Sequence, residues 1–359
     1  MSQRIYNFSA GPAMLPTEVL EASAAALVDY QGTGVGIAEV SHRGAAFTAV
    51  IAEARERCKR LLGLGDSHEV LFLQGGATQQ FDLIPMNFLR GHADYAIAGQ
   101  WGKKAYQGGK RYGDARVAAD SGASNYDHVT PLADWQLSAD ADYLHICSNN
   151  TIFGTRTSEW PSHSCLIADM SSEIMSRQID AASFGMIYAG AQKNLGPSGV
   201  VLAIIRKDLL ERCPEDLAPI FNYRKHAEAD SCLNTPPTFG IYILLETFRW
   251  LERWGGLEAM QALNELKAKL IYDAIDTSGG FYRGTVSNKA DRSIMNITYV
   301  LPDEELTKRF LKGAEERGMV ALKGYRSVGG VRASVYNAMP KEGCQALADF
   351  MQEFQAANG

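Results

Sequence analysis

From about residue 60 to residue 206, short runs that are apolar at nearly every position alternate with longer stretches whose apolar residues recur at helical spacing. A strand covered on both faces reads as a continuous apolar run, so the alternation predicts an α/β fold with a mainly parallel sheet layered by helices. Glu69 to Leu73 is one such run, and it passes through Gly75-Gly76 into the helical pattern Phe81, Leu83, Ile84, Phe88 and Leu89. Asp94 to Trp101, Tyr143 to Cys147 and Cys165 to Asp169 read as further strands, the first ending on the aromatic Trp101. Met186 to Tyr188 and Val200 to Ile205 are the last of the series, with a glycine-punctuated turn between them.

Beyond residue 206 the pattern changes. Cys213 to Pro237, rich in proline and polar residues, reads as a long loop of the kind that usually carries function. An amphipathic helix with Leu244, Leu245, Phe248, Leu251 and Trp254 on its apolar face follows and stops at Gly255-Gly256. A helix over 258–275, strands near Phe281 and over Ile294 to Val300, a helix over 303–317 and a terminal helix then predict a smaller α+β domain. We expect residues 16–257 to form the large domain, and the N-terminal arm 1–15 to join residues 258–359 in the small one, because 359 residues are many for one core.

Polar groups gather at the carboxyl ends of the predicted strands, which is where open α/β sheets bind ligands. Asp169 ends one strand, and Lys193 lies in the turn Ala191-Gln-Lys-Asn-Leu-Gly196 between the last two. An amine attacks an aldehyde only when unprotonated, and the flanking apolar runs would supply the burial that lowers a lysine pKa. A carboxylate on the same edge suits the ring nitrogen of pyridoxal phosphate. The helix opening at Gly76 and Ala77 offers N–H groups and a positive dipole end to a phosphate, while the absence of Gly-Lys-Ser/Thr after it gives no indication of a nucleotide. Each feature also has a plainer use: Asp169 as a helix cap, Lys193 as a solvated loop residue, Gly75-Gly76 as a simple turn, Trp101 as core.

Composition narrows the setting. A formal charge of -6 and the lack of a lysine/arginine-rich run argue against nucleic acid as a partner. The six cysteines show no Cys-x-x-Cys spacing, so neither a disulfide framework nor a metal site is expected. The N-terminus has no apolar signal core and no run approaches the roughly 18 apolar residues of a membrane span, so we expect a cytoplasmic protein with no membrane partner.

Whole segments then carry a resemblance. Asn7-Phe-Ser-Ala-Gly-Pro-Ala13, Val40-Ser-His-Arg43, Gly75-Gly76-Ala77, Asp169-Met-Ser-Ser172, Ala189-Gly-Ala-Gln-Lys-Asn-Leu-Gly-Pro-Ser-Gly199 and Gly329-Gly-Val-Arg-Ala-Ser-Val-Tyr-Asn-Ala-Met-Pro340 are similar to those of the phosphoserine aminotransferases, class V pyridoxal-phosphate-dependent enzymes, over nearly the whole chain. The resemblance implies the pyridoxal-phosphate transferase fold type I with a seven-stranded sheet, and one cofactor per subunit in Schiff-base linkage to Lys193. Asp169 would face the pyridinium nitrogen, Trp101 would stack on the ring, Thr151 would bond its phenolic oxygen, and Gly76, Ala77 and Gln192 would hold the phosphate. Asn234 and Thr235 would reach the same phosphate from the neighbouring subunit of a homodimer with shared active sites. Arg332 would grip the substrate α-carboxylate, with His42, Arg43 and Arg326 around the distal anion. In the resembled family the position before Arg326 is histidine; Tyr325 stands there and brings a hydroxyl but no cation.

The activity implied is ping-pong transfer of the amino group of L-glutamate to 3-phosphohydroxypyruvate, a step of serine biosynthesis, with the related phosphohydroxythreonine reaction of pyridoxine biosynthesis beside it. Another class V aminotransferase, acting on an unphosphorylated amino acid, is the alternative. A cysteine desulfurase would need a cysteine in Lys323 to Val331, where there is none. A phosphate-binding module without catalysis would need only Gly75-Gly76, and a colourless protein that ignores pyridoxal phosphate would favour it.

Overall fold

The computed structural model describes residues 4–359. Its strands are β1 (Tyr6–Asn7), β2 (His68–Gly75), β3 (His92–Ile97), β4 (Asp114–Asp120), β5 (Leu144–Cys147), β6 (Leu166–Asp169), β7 (Met186–Gly190), β8 (Gly199–Arg206), β9 (Arg283–Gly284), β10 (Asn296–Val300), β11 (Met319–Val320) and β12 (Val331–Ser334). Its helices are α1 (Thr17–Val28), α2 (Ala45–Leu61), α3 (Ala77–Phe88), α4 (Gln100–Gly109), α5 (Lys207–Glu211), α6 (Tyr223–Glu228), α7 (Thr238–Arg253), α8 (Gly256–Asp276), α9 (Glu304–Glu316) and α10 (Lys341–Asn358).

Seven strands form one sheet in the order β2-β8-β7-β6-β5-β3-β4. Every pairing is parallel except those of β8, which runs against both β2 and β7. The sheet is therefore the α/β layer that the apolar runs predict, with one reversed strand that their composition does not reveal. Successive residues of a strand enter opposite cores: Val70 and Phe72 join the layer of α1, α2 and α7, whereas Leu71 and Leu73 join that of α3 to α6. β2 is an edge strand whose outward polar groups are occupied. Phe72 N–H donates to Ser231 Oγ (3.1 Å), the Val70 carbonyl accepts from Arg55 Nε (3.2 Å), and the Gln74 side chain donates to the Thr235 carbonyl.

A second core gathers α8, α9, α10 and the sheet β9-β10-β12 around Tyr282, Ile297, Tyr299, Phe310 and Phe350. The N-terminal arm belongs to it: Phe8 is in this core, and β1 lies parallel to β11 with Tyr6 opposite Met319.

Three local expectations change. β3 stops at Ile97 and Trp101 falls in the first turn of α4, because Gly99 ends the strand and forms the helix N-cap. The 213–237 segment is not one loop: Pro219–Phe221 is a 3-10 turn, and α6 follows with the Asn222 side chain capping Lys225 N–H. Trp254 lies at the C-cap of α7 and is 46% exposed, off the apolar face assigned to it. Strands β11 and β12, only 2 and 4 residues long, are too short for periodicity to reveal. Among the described residues no helix is long and apolar enough to cross a membrane, and all six cysteines are free thiols.

Candidate active site

Because β8 alone is reversed, the carboxyl ends of β2, β3, β5, β6 and β7 lie along one edge of the sheet, and the predicted groups follow from those ends. Cys147 is opposite Asp169 and Asp169 opposite Tyr188 in the β5-β6-β7 register, so the tip of β5, the carboxylate and the lysine turn are adjacent. Asp169 is 6% exposed. Its Oδ1 accepts from Ser171 N–H (2.9 Å) and Ser171 Oγ (2.6 Å), while Oδ2 takes no bond among the described residues. Ser171 Oγ is itself fixed by Gly190 N–H (3.0 Å), the last residue of β7. This is a carboxylate locked in one orientation with half of its accepting capacity free.

Lys193 is half-buried in the turn after β7. Burial lowers its pKa; Asp169 and Cys147 oppose that, and the Arg332 guanidinium adds to it. Its Nζ lies 5.5 Å from the centre of the Trp101 ring. The indole Nε1 donates to Thr151 Oγ1 (3.0 Å), which keeps the hydroxyl hydrogen of Thr151 available, and the Thr151 carbonyl accepts from Arg332 Nη1 (2.9 Å). Burial also lowers the pKa of Arg332, against Tyr336 and Tyr325, without bringing a guanidinium near neutrality. Lys193, Asp169, Trp101, Thr151 and Arg332 thus form one cluster.

Gly75 leaves β2 at φ +108°, a turn glycine makes without strain, and Gly76 opens α3 in an extended conformation. No side chain caps α3, so the first-turn N–H groups at Ala77 remain as an anion cradle. A methyl group at Gly190 would lie 3.4 Å from Ala77 N, which places the cradle beside the end of β7. The Gln192 carbonyl accepts from Ala13 N–H, and a methyl group at Gly11 would lie 3.3 Å from Lys193 Cγ, so the N-terminal arm lies along the lysine stem.

The remaining predicted residues lie elsewhere in the chain. His42 and Arg43 precede α2; Cys232 Sγ contacts the His42 carbonyl, which joins them to the loop bearing Asn234 and Thr235 on the β2 edge. Asn234 lines a cleft with Gln74, Gly75, Gln79, Ile220 and Phe221. Buried His42 Nε2 has no partner among the described residues. Arg326 is exposed in the loop 323–330, which Gly324 N–H closes onto the Gly330 carbonyl (2.9 Å). Tyr325 stands with its ring 6.0 Å from the Arg332 guanidinium.

Sequence reasoning did not find Ser171, nor Asn194, whose Oδ1 accepts from Asn337 N–H (2.9 Å) and whose Nδ2 donates to the Ile174 carbonyl (2.6 Å). Their only signal was proximity to Asp169 and Lys193.

An anion cradle, an oriented carboxylate, an aromatic wall and an amine of lowered pKa on one edge match the four things pyridoxal phosphate presents: phosphate, ring nitrogen, ring face and aldehyde. The donor set fits the cofactor.

Comparison with known proteins agrees. The family model described as Aminotransferase class-V matches residues 5–347. The chain is 52% identical to a phosphoserine aminotransferase of Niallia circulans over 100% of both chains. It superposes with a TM-score of 0.97 on a phosphoserine aminotransferase structure from Bacillus circulans subsp. alkalophilus, at 52% identity over 100% of both chains. A PLP-bound phosphoserine aminotransferase from Trichomonas vaginalis gives a TM-score of 0.92 at 39% identity, over 97% of this chain and 100% of that one.

Proposed function

The chain belongs to the class V aminotransferases, and from that premise we propose that it transfers the amino group of L-glutamate to 3-phosphohydroxypyruvate, giving O-phospho-L-serine and 2-oxoglutarate. The observation that carries the reading is the single cluster of Lys193, Asp169, Trp101 and Arg332 at the sheet edge. Bound there, pyridoxal phosphate supplies an aldehyde carbon and an electron-withdrawing ring.

The chain's own groups do the rest. Ser171 holds the Asp169 carboxylate, which keeps a proton on the ring nitrogen. Lys193 Nζ, unprotonated more readily than an ordinary lysine, would take the proton from the substrate Cα and hand it to the cofactor's aldehyde carbon. Trp101 would shield the ring face from water, and Thr151, whose Oγ1 accepts from the indole, would donate its hydroxyl hydrogen to the phenolic oxygen. Gly76, Ala77 and Gln192 bind the phosphate. Arg332 receives the α-carboxylate shared by glutamate and phosphoserine, a planar anion suited to a guanidinium fork.

The remaining cations serve the distal anion. Arg326 and Tyr325 approach from the subunit that holds Lys193; from the partner of a homodimer come His42 and Arg43, toward the same anion, and Asn234 and Thr235, toward the cofactor phosphate. Support for this division is that the second set shares one patch on the β2 edge beside exposed Ile220 and Phe221, apolar groups that a partner would cover. In this reading residues 16–257 hold the cofactor, residues 1–15 with 258–359 close over it, and the enzyme works in the cytoplasm. It also transaminates phosphohydroxythreonine, which presents the same carboxylate and phosphate.

Tyr325 favours one second reading, an unphosphorylated amino acid substrate, because it takes a cation from the distal site. The absorption spectrum of the purified protein separates the two. O-phospho-L-serine should abolish the visible band of the lysine-bound cofactor and 2-oxoglutarate restore it, with L-alanine inert; a band bleached by L-alanine and not by phosphoserine selects the second reading. Lys193→Ala should retain cofactor noncovalently and lose turnover.

A further inference from the structure

Behind Arg332 runs a buried polar chain to which the mechanism gives no task. Asn149, two residues before Thr151, donates through Nδ2 to Ser172 Oγ (2.8 Å) and to Asn296 Oδ1 (2.8 Å), and its Oδ1 accepts from Ser293 Oγ (2.6 Å). Asn296, at the start of β10, donates its two amide hydrogens to Ser334 Oγ (2.9 Å) and Tyr336 Oη (3.1 Å). The Tyr336 hydroxyl in turn donates to the Ala10 carbonyl (2.9 Å). All these side chains are at most 2% exposed. Both amides have every donor used, a degree of satisfaction that makes a buried network rigid and specific.

The network's position matters more than its stability. Along β12, Arg332 and Ser334 are two apart and so lie on one face, and Tyr336, beyond the end of the strand, meets the same Asn296 amide. Asn296 is the register partner of Ser334, and Thr298 that of Arg332. Arg332 is anchored at the front by one bond to the Thr151 carbonyl, at a place where an incoming carboxylate would compete for its donors. The Asn149–Asn296 bond, two residues back on each side, ties the same pair of segments where no ligand reaches. It joins the chain that carries Thr151 to the strand pair that carries Arg332, and Tyr336 adds the arm that lies on Lys193.

We infer that Asn296 is a positioning residue for substrate carboxylate capture: by locking β12 to the tip of β5 it holds the Arg332 guanidinium at a fixed place over the cofactor edge before substrate arrives. The inference rests on the reading of Arg332 as the α-carboxylate ligand. A carboxylate site assembled in advance spares the ordering of a long side chain on binding.

The test is steady-state kinetics of Asn296→Asp and Tyr336→Phe holoenzyme against glutamate and phosphoserine, with Arg332→Lys beside them. Asn296→Asp keeps the shape and removes both donors; Tyr336→Phe is the milder cut should the first not fold. The expected result is a KM raised on the order of tenfold to a hundredfold for both amino acids, with kcat little changed, since a shift of about 1 Å in a positioned group has effects of that size. The double variant Asn296→Asp/Arg332→Lys should lose no more than Arg332→Lys alone, as expected when one residue acts through the other. Should Arg332→Lys leave KM unchanged, the reading of Arg332 has failed. Should it raise KM while folded Asn296→Asp and Tyr336→Phe do not, or should the losses simply add, the positioning role is overturned and the network is only structural.

Discussion

Asp169 acts on the charge of Lys193, and the direction of that effect can be measured. Burial lowers the pKa of the Lys193 amine, and the Asp169 carboxylate works against that lowering. Asp169→Asn should therefore move the Lys193 pKa further down. In cofactor-free protein, the pH midpoint for amine-directed labelling of Lys193, followed by peptide mass spectrometry, should shift to lower pH; a shift upward would mean that the carboxylate does not act on this amine. The same substitution should cut transamination, because an amide cannot keep the ring nitrogen protonated. Each residue alone has a plainer use, and the two are legible in the sequence because a carboxylate and a lysine follow neighbouring apolar runs and so fall on one sheet edge. Ser171 is not: a serine two residues after a strand is an ordinary turn residue, and only the fold places its Oγ between Asp169 Oδ1 and Gly190 N–H. Cations for the distal anion are legible as residue types, but their distribution between two patches is not, since it depends on which strand lies at the edge.

Elements bring these groups within reach, and two packing details make that testable. α3 and α4 cross so closely that a methyl group at Gly108 would lie 2.4 Å from the Phe81 carbonyl oxygen. Gly108→Ala should force apart the helices that carry Ala77 and Trp101, cost about 1–3 kcal/mol by overpacking, and weaken cofactor retention in dialysis more than an exposed alanine substitution does. In α8, Lys267 is wholly buried and donates to the carbonyls of Tyr336 (2.7 Å), Asn337 (3.4 Å) and Met339 (3.1 Å). Burial pushes its pKa from the usual 10.5 down to about 8. The folded state then binds fewer protons than the unfolded one between those values, so this group's contribution to stability grows as pH rises from about 8 and is lost as pH falls through it. Denaturant unfolding of cofactor-free protein near pH 7 and pH 10 should show that slope in the wild type relative to Lys267→Met. The variant should also be less stable at both, because three buried carbonyls lose their donor. Long elements with strong periodicity, α7 and α8 among them, were visible in the sequence. Trp101 was misplaced because an apolar run and the helix after it share residues, and a glycine N-cap is the only mark between them.

For the whole molecule, the proposed division of the site between subunits has a direct consequence. Lys193→Ala protein supplies an intact His42 and Arg43; a His42→Ala/Arg43→Ala variant supplies an intact Lys193. Unfolded and refolded together, the two should regain up to about a quarter of wild-type activity, because about half of the dimers are mixed and each holds one complete site. Activity no greater than the sum of the separate variants would place the distal cations and the lysine in one chain. The alternation of elements makes the seven-stranded sheet legible in the sequence, whereas the contacts of the chain's first residues depend on the fold. Tyr6 pairs with Met319, Ala10 is held by Tyr336, and Gly11 lies against Lys193. At ribosomal speeds of roughly 5–20 residues per second, the arm emerges about 15–60 s before the strand that receives it. The lysine is laid down midway through that wait, so the arm that lies along its stem in the folded chain can take its place only when synthesis is nearly complete.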